Sequence, residues 1–254
     1  MKTRAILFST LSLFVATLCW GQDVPKVMEM KPEMTEAWEP EVEVVTPGEK
    51  YGDAPSDAII LFKDGFMNEW TNDKGDLPEW PVEDGVMTVG PSQIKTKRNF
   101  GSVQLHIEWR SPSVVKGTSQ GRGNSGVFFA DGRYEVQVLD SYNNRTYRNG
   151  QAASVYKQHA PLVNASKKPG EWQTYDIVFM QPHFNEDGTY LVPPKITVFH
   201  NGVLVQNSVE LRGPTLYIGM PEYNIEKHGP GSIMLQNHGD KVSYRNIWVR
   251  ELKK

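Results

Sequence analysis

The feature that most constrains this chain is a long succession of short segments in which apolar and polar residues alternate, beginning near residue 58. Gly, Asn, Asp and Pro separate these segments, and no stretch of twelve residues in the sequence has a helical period. A period of two indicates β-strands, and many strands without intervening helices predict a sandwich or a barrel. The predicted strands span residues 58–62, 86–89, 92–98, 103–110, 126–129, 134–139, 172–180, 195–200, 203–209, 232–236 and 242–252.

One of the turns between these segments has a distinct hairpin signature. Asn201-Gly202 follows His200 and lies between two segments that are rich in β-branched and aromatic residues. Asn-Gly favours the tight turns that join antiparallel strands, so we expect a hairpin at this point. The sequence has no internal repeat of fixed period, which argues against a propeller.

The N-terminus predicts export. Lys2 and Arg4 precede an apolar run without charge at residues 5–18, and small or weakly polar residues follow it. This is the layout of a secretory signal peptide, which we place at residues 1–21. The apolar run is too short for a comfortable transmembrane span. We therefore expect a periplasmic or extracellular protein that has no transmembrane span after the signal peptide is removed.

Cys19 is the only cysteine of the chain. A lipoprotein signal prefers a small residue just before the lipidated cysteine, and Leu18 occupies that position. Lipidation of Cys19 is therefore the less favoured alternative to cleavage after Gly21. If Cys19 leaves with the signal peptide, the mature chain has no thiol, which excludes disulfides, cysteine chemistry and cysteine-ligated zinc.

The composition divides the remaining chain into two parts. Residues 22–56 are rich in Pro and Glu and have no sustained period, which predicts a linker or a strap along a domain surface. Residues 57–254 are predicted to form one β-sandwich domain, a common size for this class. The formal net charge is -3 and the basic residues are scattered, so we expect no nucleic-acid partner.

A pair of carboxyl groups stands out in the segment at 134–139. Successive side chains of a strand point to opposite faces, so Glu135 and Gln137 share one face. Leu139 breaks the alternation, and a bulge or strand end there would return Asp140 to the same side. Glycoside cleavage uses two carboxyl groups, one as an acid and the other as a nucleophile or base. Glu135 and Asp140 are therefore a candidate catalytic pair, although carboxylates at this spacing also occur by chance.

Other predicted strands and loops also carry polar side chains on alternate positions. If these strands are neighbours, their polar residues form one sheet face flanked by Tyr156 and other aromatic residues. Amides and guanidinium groups suit sugar hydroxyls, and aromatic faces suit sugar C–H surfaces, so this face predicts carbohydrate binding. The alternative is an ordinary solvated face of an amphipathic sheet. The polar residues concerned are Gln104, His106, Glu108, Arg110, Gln236, His238, Arg245 and Asn246.

The sequence resembles the bacterial family of 3-keto-disaccharide hydrolase domains from about residue 57 to its end. The resemblance rests on nine segments in a fixed order: LFKDGFMNEW (61–70), WPVEDGVMTV (80–89), QLHIEWR (104–110), GNSGVFF (123–129), YEVQVLD (134–140), GEWQTYD (170–176), FHNGV (199–203), GSIMLQNHG (231–239) and YRNIW (244–248). The resemblance implies an all-β, concanavalin A-like jelly-roll of two antiparallel sheets with a concave sugar-binding face. It also implies an exported bacterial enzyme that acts on sugars already oxidised at C3 by a partner oxidoreductase.

The layout Glu135-x-Gln137-x-x-Asp140 is similar to the Glu-x-Asp-x-x-Glu strand of laminarinase-like glucanases, which share this sandwich. In those enzymes the outer carboxylates are the nucleophile and the acid/base. This chain has Gln in the middle and a shorter Asp at the end, and both departures argue against ordinary double displacement. A 3-keto sugar has an acidified proton on C2, which allows elimination of the C1 substituent followed by addition of water.

The resemblance implies roles for the remaining polar residues. Glu135 or His238 is the candidate base, and Arg110 or Arg245 the candidate stabiliser of the enolate. The side chains expected to orient sugar hydroxyls are Asn124, Gln137, Tyr156 and Gln236. The alternative function is a non-catalytic, lectin-like carbohydrate-binding module, since the same sandwich serves lectins and hydrolases.

The histidines have no HExxH or comparable spacing, so no dedicated catalytic zinc site is predicted. A Ca²⁺ or another hard cation held by Asp and Asn loops stays open, because such sites leave little trace in a sequence.

Overall fold

The computed structural model describes residues 28–220, 222–223 and 226–252. The signal peptide predicted at residues 1–21, including Cys19, lies outside these residues. The chain divides into two compact units, Met1–Val44 and Val45–Lys254. The described part of the first unit, residues 28–44, contains a short 3-10 helix at Pro32–Thr35 and is almost entirely exposed. Within the residues described, no helix has both the length and the apolarity to cross a bilayer.

The second unit is built from fifteen strands and two further 3-10 turns, Ser119–Gly121 and Arg148–Gly150. Its strands are β1 Ile59–Phe62, β2 Trp70–Thr71, β3 Val82–Glu83, β4 Val86–Thr88, β5 Ile94–Thr96, β6 Val103–Arg110, β7 Ser125–Phe129, β8 Tyr134–Val138, β9 Gln173–Met180, β10 His183–Phe184, β11 Tyr190–Val192, β12 Lys195–His200, β13 Val203–Glu210, β14 Met234–Leu235 and β15 Ser243–Glu251.

The strands form two main sheets in which the neighbours are antiparallel. The larger sheet has the order β13-β12-β9-β6-β15-β4-β3, with β1 also paired to β15, and the smaller sheet has the order β2-β5-β14-β7-β8. Strands β10 and β11 form a separate hairpin. The predicted all-β, two-sheet antiparallel sandwich is confirmed. Strands β2, β3, β10 and β11 were not predicted, because two or three residues are too few to show an alternation.

The predicted hairpin joins β12 to β13. His200 pairs with Val203, so only Asn201 and Gly202 form the loop, with φ angles of 52° and 78°. Both residues lie in the left-handed region, as a type I′ turn requires, and Asn and Gly adopt this region more easily than other residues do. This prediction is confirmed.

The two sheets enclose one apolar core. Phe129 of β7 stacks on Phe179 of β9, with ring centroids 4.9 Å apart. Two hydroxyl groups also cross between the sheets: Tyr175 donates to the Gln137 carbonyl at 2.8 Å, and Tyr244 donates to Ser125 Oγ at 2.7 Å. These contacts fix which face of each strand points inward. The alternate residues of the smaller sheet are therefore turned away from the core.

The polar strand faces predicted to lie together belong to different sheets. Strand β6, which carries Arg110, and strand β15, which carries Arg245, pair with each other in the larger sheet. Strand β8, which carries Glu135, lies in the smaller sheet. The expectation of one continuous polar face is wrong, because strand neighbours are chosen by long-range pairing that alternation does not encode.

Residues 45–56, part of the predicted linker or strap, lie against the polar face of the larger sheet. The carbonyl of Gly52 accepts hydrogen bonds from Trp248 Nε1 at 2.9 Å and from Asn246 Nδ2 at 2.8 Å. Tyr51 donates to Asp176 Oδ2 at 2.5 Å. These contacts make the 45–56 segment a structural part of the sandwich unit.

Beneath this segment lies a buried histidine. His106 Nδ1 is 2.6 Å from Asp176 Oδ1, and Nε2 is 3.8 Å from Glu108 Oε1. Burial by itself lowers the pKa of His106, but the two carboxylates outweigh it and raise the pKa to about 9. The raised pKa favours the cationic form of His106 at neutral pH. Asp176 binds both His106 and Tyr51, so this carboxylate links the 45–56 segment to the sheet.

Candidate active site

A pocket of about 280 Å³ opens on the outer face of the smaller sheet. The alternation of β8 turns Val136 and Val138 into the core and leaves Glu135 and Gln137 on the opposite face. The lining residues are Asn124, Phe128, Glu135, Gln137, Tyr156, Thr215, Tyr217, Gln236 and His238.

Neighbouring strands build the floor of the pocket. In the antiparallel pair β7–β8, Gly126 lies opposite Gln137 and Phe128 lies opposite Glu135. Gln236 comes directly after β14, and its N–H donates to the Gly126 carbonyl at 3.0 Å. These pairings bring residues from distant parts of the sequence onto one small area of the sheet.

Two loop segments run beside β8 and form the walls. The N–H of Tyr156 donates to the Glu135 carbonyl at 3.2 Å, which holds the Tyr156 ring at the pocket. On the other segment, Thr215 N–H donates to the Arg133 carbonyl at 2.6 Å. The Thr215 hydroxyl in turn accepts the N–H of Glu135 at 3.1 Å. Both walls are thus attached to the backbone on either side of the central carboxyl group.

Among the described residues that line this pocket, Glu135 is the only one with a carboxyl group. It is 5% exposed, and burial raises its pKa to about 8, since a buried carboxylate is poorly solvated. The raised pKa favours the protonated form of Glu135 at neutral pH. A titratable group with a strongly shifted pKa in a cleft is a feature of catalytic sites.

Tyrosines form the rim. The hydroxyl oxygens of Tyr147 and Tyr156 lie 2.6 Å apart. Burial raises the pKa of Tyr156, and the nearby Glu135 carboxyl adds to this. Tyr217 is 74% exposed, with its ring 4.6 Å from Lys157 Nζ, and Lys157 also donates to the Tyr217 carbonyl. The rim thus offers aromatic faces and phenolic hydroxyls to a ligand.

Two further polar groups lack a fixed partner or are open to solvent. Gln236 Oε1 is buried and accepts no hydrogen bond from the described residues. A buried acceptor without a donor is unfavourable, so this oxygen is suited to a ligand hydroxyl. His238 lines the same pocket and is exposed, which leaves its imidazole accessible to a ligand.

The structure brings six of the nine predicted site residues into this pocket: Asn124, Glu135, Gln137, Tyr156, Gln236 and His238. It does not bring Asp140, Arg110 or Arg245 there.

Asp140 is turned toward a neighbouring cavity of about 240 Å³. Its Oδ2 accepts from Arg122 Nε at 2.6 Å, and its Oδ1 accepts from the Tyr142 N–H at 3.2 Å. Strand β8 ends at Val138, so Asp140 no longer follows the alternation that places Glu135. Asp140 is not among the residues that line the Glu135 pocket, so the expected pairing of the two carboxyl groups in one site is not found.

Arg110 and Arg245 lie on the larger sheet, and both contact the same indole ring. Their guanidinium carbons are 4.7 Å and 4.1 Å from the ring centroid of Trp172. Arg245 also pairs with Glu108 at 2.6 Å. These contacts belong to the surface of the larger sheet, so neither arginine is placed to stabilise a charge in the Glu135 pocket.

Three lining residues were not predicted. Phe128 has a sequence signal, because it alternates with Gly126 on a strand that pairs with β8. Thr215 and Tyr217 have none, since they come from a loop about 80 residues after Glu135 and reach the pocket only through the tertiary fold. In the part of the chain that the structure describes, no three His, Cys, Asp or Glu side chains converge as metal ligands. The Ca²⁺ or other hard cation that the sequence leaves open is not tested by this arrangement.

Comparison with known proteins places this pocket in context. The family described as the 3-keto-alpha-glucoside-1,2-lyase-like domain matches residues 57–250. The chain belongs to this family. The matched range contains every described strand of the second unit except for Glu251, the last residue of β15. The resemblance inferred from the nine sequence segments is confirmed.

Three proteins similar to this lyase-like domain come from two bacteria. A 3-keto-disaccharide hydrolase of Bacteroides thetaiotaomicron is 27% identical over 236 residues, which cover 76% of this chain and 78% of the relative. A crystal structure of a protein provisionally named glycosyl hydrolase, from Parabacteroides distasonis, is 50% identical with a TM-score of 0.82, covering 88% of this chain and 97% of that chain. A second such structure from that organism, at 22% identity, covers 77% of this chain and 94% of its own and shares the fold with a TM-score of 0.55. The family and these relatives make the chain a carbohydrate-active protein of the glycosyl hydrolase type.

Proposed function

We propose that this protein cleaves the glycosidic bond of 3-keto glycosides or 3-keto disaccharides in the Glu135 pocket. The single observation that carries this proposal is one buried carboxyl group, that of Glu135, which among the described lining residues is surrounded by amide, phenol and imidazole groups and by no second carboxyl group. A lone acid suits a reaction in which one group leaves and takes up a proton. It does not suit double displacement, which needs a second carboxylate about 5 Å away.

The proposed reaction is an elimination followed by hydration. A base removes the C2 proton, whose acidity comes from the neighbouring C3 ketone. The C2 electron pair forms a C1–C2 double bond, the C1–O bond breaks, and the leaving oxygen takes the proton of Glu135. Water then adds to give the free 3-keto sugar: its hydroxyl bonds to C1 while its other proton returns to Glu135, and the protonated base delivers its proton to C2. His238 is the proposed base, because its imidazole is open to the pocket.

The developing enolate oxygen at C3 requires a hydrogen-bond donor. With Arg110 and Arg245 on the other sheet, we assign this role to the Tyr156 hydroxyl, which lies 2.6 Å from the Tyr147 hydroxyl. When Tyr147 is the donor of that pair, the Tyr156 proton is free to bind the enolate oxygen. Gln236 Oε1 and the Asn124 side chain are the proposed contacts to sugar hydroxyls. The proposal includes export to the periplasm or beyond, and an upstream oxidoreductase that supplies the 3-keto sugar.

The test is turnover of paired substrates. Protein from Gln22 onward is mixed with a glycoside and with the same glycoside oxidised at C3, with and without chelator, and product release is followed by NMR. We expect turnover of the keto form alone, loss of turnover in Glu135→Gln, and normal turnover in Glu79→Gln, which changes an exposed glutamate. Full activity of Glu135→Gln would refute the acid role.

The same experiment separates the alternative functions. Turnover of both substrates would favour direct displacement over elimination. Saturable binding without turnover of either substrate would instead identify a lectin-like carbohydrate-binding module, for which the aromatic rim of the pocket is equally suited. Loss of activity on chelation would point to the hard cation that the sequence leaves open.

A further inference from the structure

The orientation of one buried amide bears directly on whether Glu135 carries a proton. Gln137 is 1% exposed and shares the outer face of β8 with Glu135. Its amide nitrogen donates to Gln120 Oε1 at 3.1 Å and to Asn124 Oδ1 at 3.3 Å. Its amide oxygen is then the atom that lies 2.9 Å from Glu135 Oε1. Two oxygens at that distance attract each other only when one of them carries a proton.

The two amides that accept from Gln137 are themselves fixed. Asn124 Nδ2 donates to the Gln120 carbonyl at 2.8 Å. Gln120 Nε2 donates to the Gly150 carbonyl and to Thr146 Oγ1, each at 2.8 Å. Because both nitrogens are bound to oxygens of the loops, both amide oxygens must point toward Gln137. The nitrogen of Gln137 is therefore required on their side, and its oxygen on the side of Glu135.

The opposite orientation of Gln137 suits an ionised Glu135 but is less well satisfied. Its nitrogen would donate to Glu135 Oε1 at 2.9 Å and to the Ser125 carbonyl at 3.2 Å. Its oxygen would then face two amide oxygens, those of Gln120 and Asn124. The first orientation leaves only the Ser125 carbonyl facing an oxygen. Each buried acceptor without a donor is destabilising, so the first orientation, with a protonated Glu135, is favoured.

The other groups around Glu135 do not replace this contact. Strand β7 presents Gly126 and Phe128, and Gln236 follows β14, so none of these brings a charge. Among the described residues, no other side chain donates a hydrogen bond to the Glu135 carboxyl. Arg122, which is close along the chain to Asn124, is bound to Asp140. The titratable groups on the surrounding segments are Tyr147, Tyr156, Lys157, Tyr217 and His238.

We propose that Gln120 and Gln137 are positioning residues that keep the proton on Glu135, so that this group begins each reaction cycle as an acid. The acid role rests on the proposed function, whereas the retained proton is a property of the protein without substrate. Gln120 is not among the lining residues of the pocket, so it acts through Gln137. Gln137, expected from sequence to bind substrate, is reassigned to this task.

The test is a direct titration of Glu135. Protein with ¹³C-labelled glutamate carboxyl groups is titrated by NMR, and the Glu135 resonance is identified by its loss in Glu135→Gln. We expect a wild-type midpoint close to the pKa of about 8. Gln120→Met removes the anchored acceptor and frees the Gln137 amide to turn, so we expect its midpoint to fall by about one pH unit, a roughly tenfold weaker proton affinity.

Two matched variants distinguish positioning from general disruption. Gln120→Glu loses the donor to Gly150 but keeps an oxygen that can accept from Gln137, and its negative charge disfavours ionisation of Glu135. Its midpoint is therefore expected to stay at or above the wild-type value. Thr146→Val alters the same loop but leaves the Gly150 anchor of Gln120, so its midpoint is expected to be unchanged. The high-pH limb of the activity profile should follow the same order as the midpoints.

Several outcomes would overturn the inference. A wild-type midpoint near that of an ordinary carboxyl group would do so without any variant, even if Gln120→Met did not fold. An unchanged midpoint in folded Gln120→Met would do so as well. The expected shift, found in a protein that cleaves no glycoside, would support the amide pair and refute only the proposed function.

Discussion

Gly126 lies directly against the carboxyl group of Glu135: a Cβ at position 126 would stand 2.8 Å from Glu135 Oε1 and 2.7 Å from Phe128 Cε2. Atoms at these distances overlap, so the carboxyl group approaches the strand as closely as it does only because residue 126 has no side chain. This glycine is required for space and not for a left-handed backbone, since its φ is not positive.

We expect Gly126→Ala to displace the Glu135 carboxyl and to lower kcat/KM by about 100-fold, with the fold retained, because a misplacement near 1 Å is enough for such a loss. Steady-state kinetics on a keto glycoside measures the effect, and circular dichroism checks the fold. Gly229→Ala is the matched control, since a Cβ there meets no atom within 4 Å. Equal activity of the two variants would contradict the prediction.

Burial of Glu135 should make the protein less stable as the pH rises. The folded-state pKa is about 8 and the ordinary value is 4.5, so the stability contribution is fully present below 4.5 and is lost as the pH rises through about 8. At pH 7 the unfolding free energy is lower than its value below pH 4.5 by at most about 3 kcal/mol.

Glu135→Gln replaces the protonated acid by a neutral group of the same shape. We therefore expect it to match wild type near pH 4 and to exceed its unfolding free energy at pH 8, as measured by urea denaturation. Glu79→Gln should show no such pH-dependent gain. A variant less stable than wild type at pH 8 would show that ionised Glu135 is accommodated after all.

The His106 cluster should give a second pH dependence in a different range. The folded-state pKa of His106 is raised from 6.5 to about 9, so its contribution is fully present below 6.5 and is lost as the pH rises through about 9. Asp176→Asn removes the charge that pairs with His106. We expect this variant to lose up to about 3 kcal/mol at pH 6 and much less at pH 10.

Thr174→Val is the control for the Asp176 variant. Thr174 Oγ1 lies 3.2 Å from the Tyr51 hydroxyl but carries no charge. The decrease in unfolding free energy caused by Thr174→Val should therefore be independent of pH. Unfolding free energies at pH 6 and pH 10 distinguish the two variants. If Asp176→Asn lost the same unfolding free energy at both pH values, His106 would be neutral in the folded protein.

Asp140 is expected to matter for stability rather than for turnover. Its side chain is 3% exposed and pairs with Arg122, so Asp140→Asn leaves a buried guanidinium without its counter-ion. Such a change destabilises by about 3 kcal/mol. Asp64→Asn, at an exposed position with φ 52° that Asn readily adopts, should be neutral.

Activity of the Asp140 variant decides between the two roles. If Asp140 only supports the fold, the folded fraction of Asp140→Asn retains wild-type kcat. Loss of kcat in fully folded Asp140→Asn would place this carboxyl back at the reacting bond and restore the paired-carboxylate mechanism.

Much of the site was accessible from local sequence. Glu135 and Gln137 share a face because a strand alternates, and this property needs only the residues of β8 themselves. Gln236 and Asn124 were selected by residue type and by the resemblance, and both line the pocket. The predicted placement of Arg110 and Arg245 in the site was wrong for the opposite reason. Alternation shows which face of a strand is polar but not which strand lies next to it.

The sequence by itself determined that the chain forms strands, where most of them begin and end, and which side chains of each strand share a face. These properties depend on neighbours two residues apart and on turn residues such as Asn201-Gly202. Only the tertiary structure decided that β8 and β6 belong to different sheets, that Asp140 turns to Arg122, and that Gln120 orients Gln137 beside Glu135. Those relationships join residues that are distant in sequence. Each depends on the packing of the whole sandwich, which no short stretch of sequence specifies by itself.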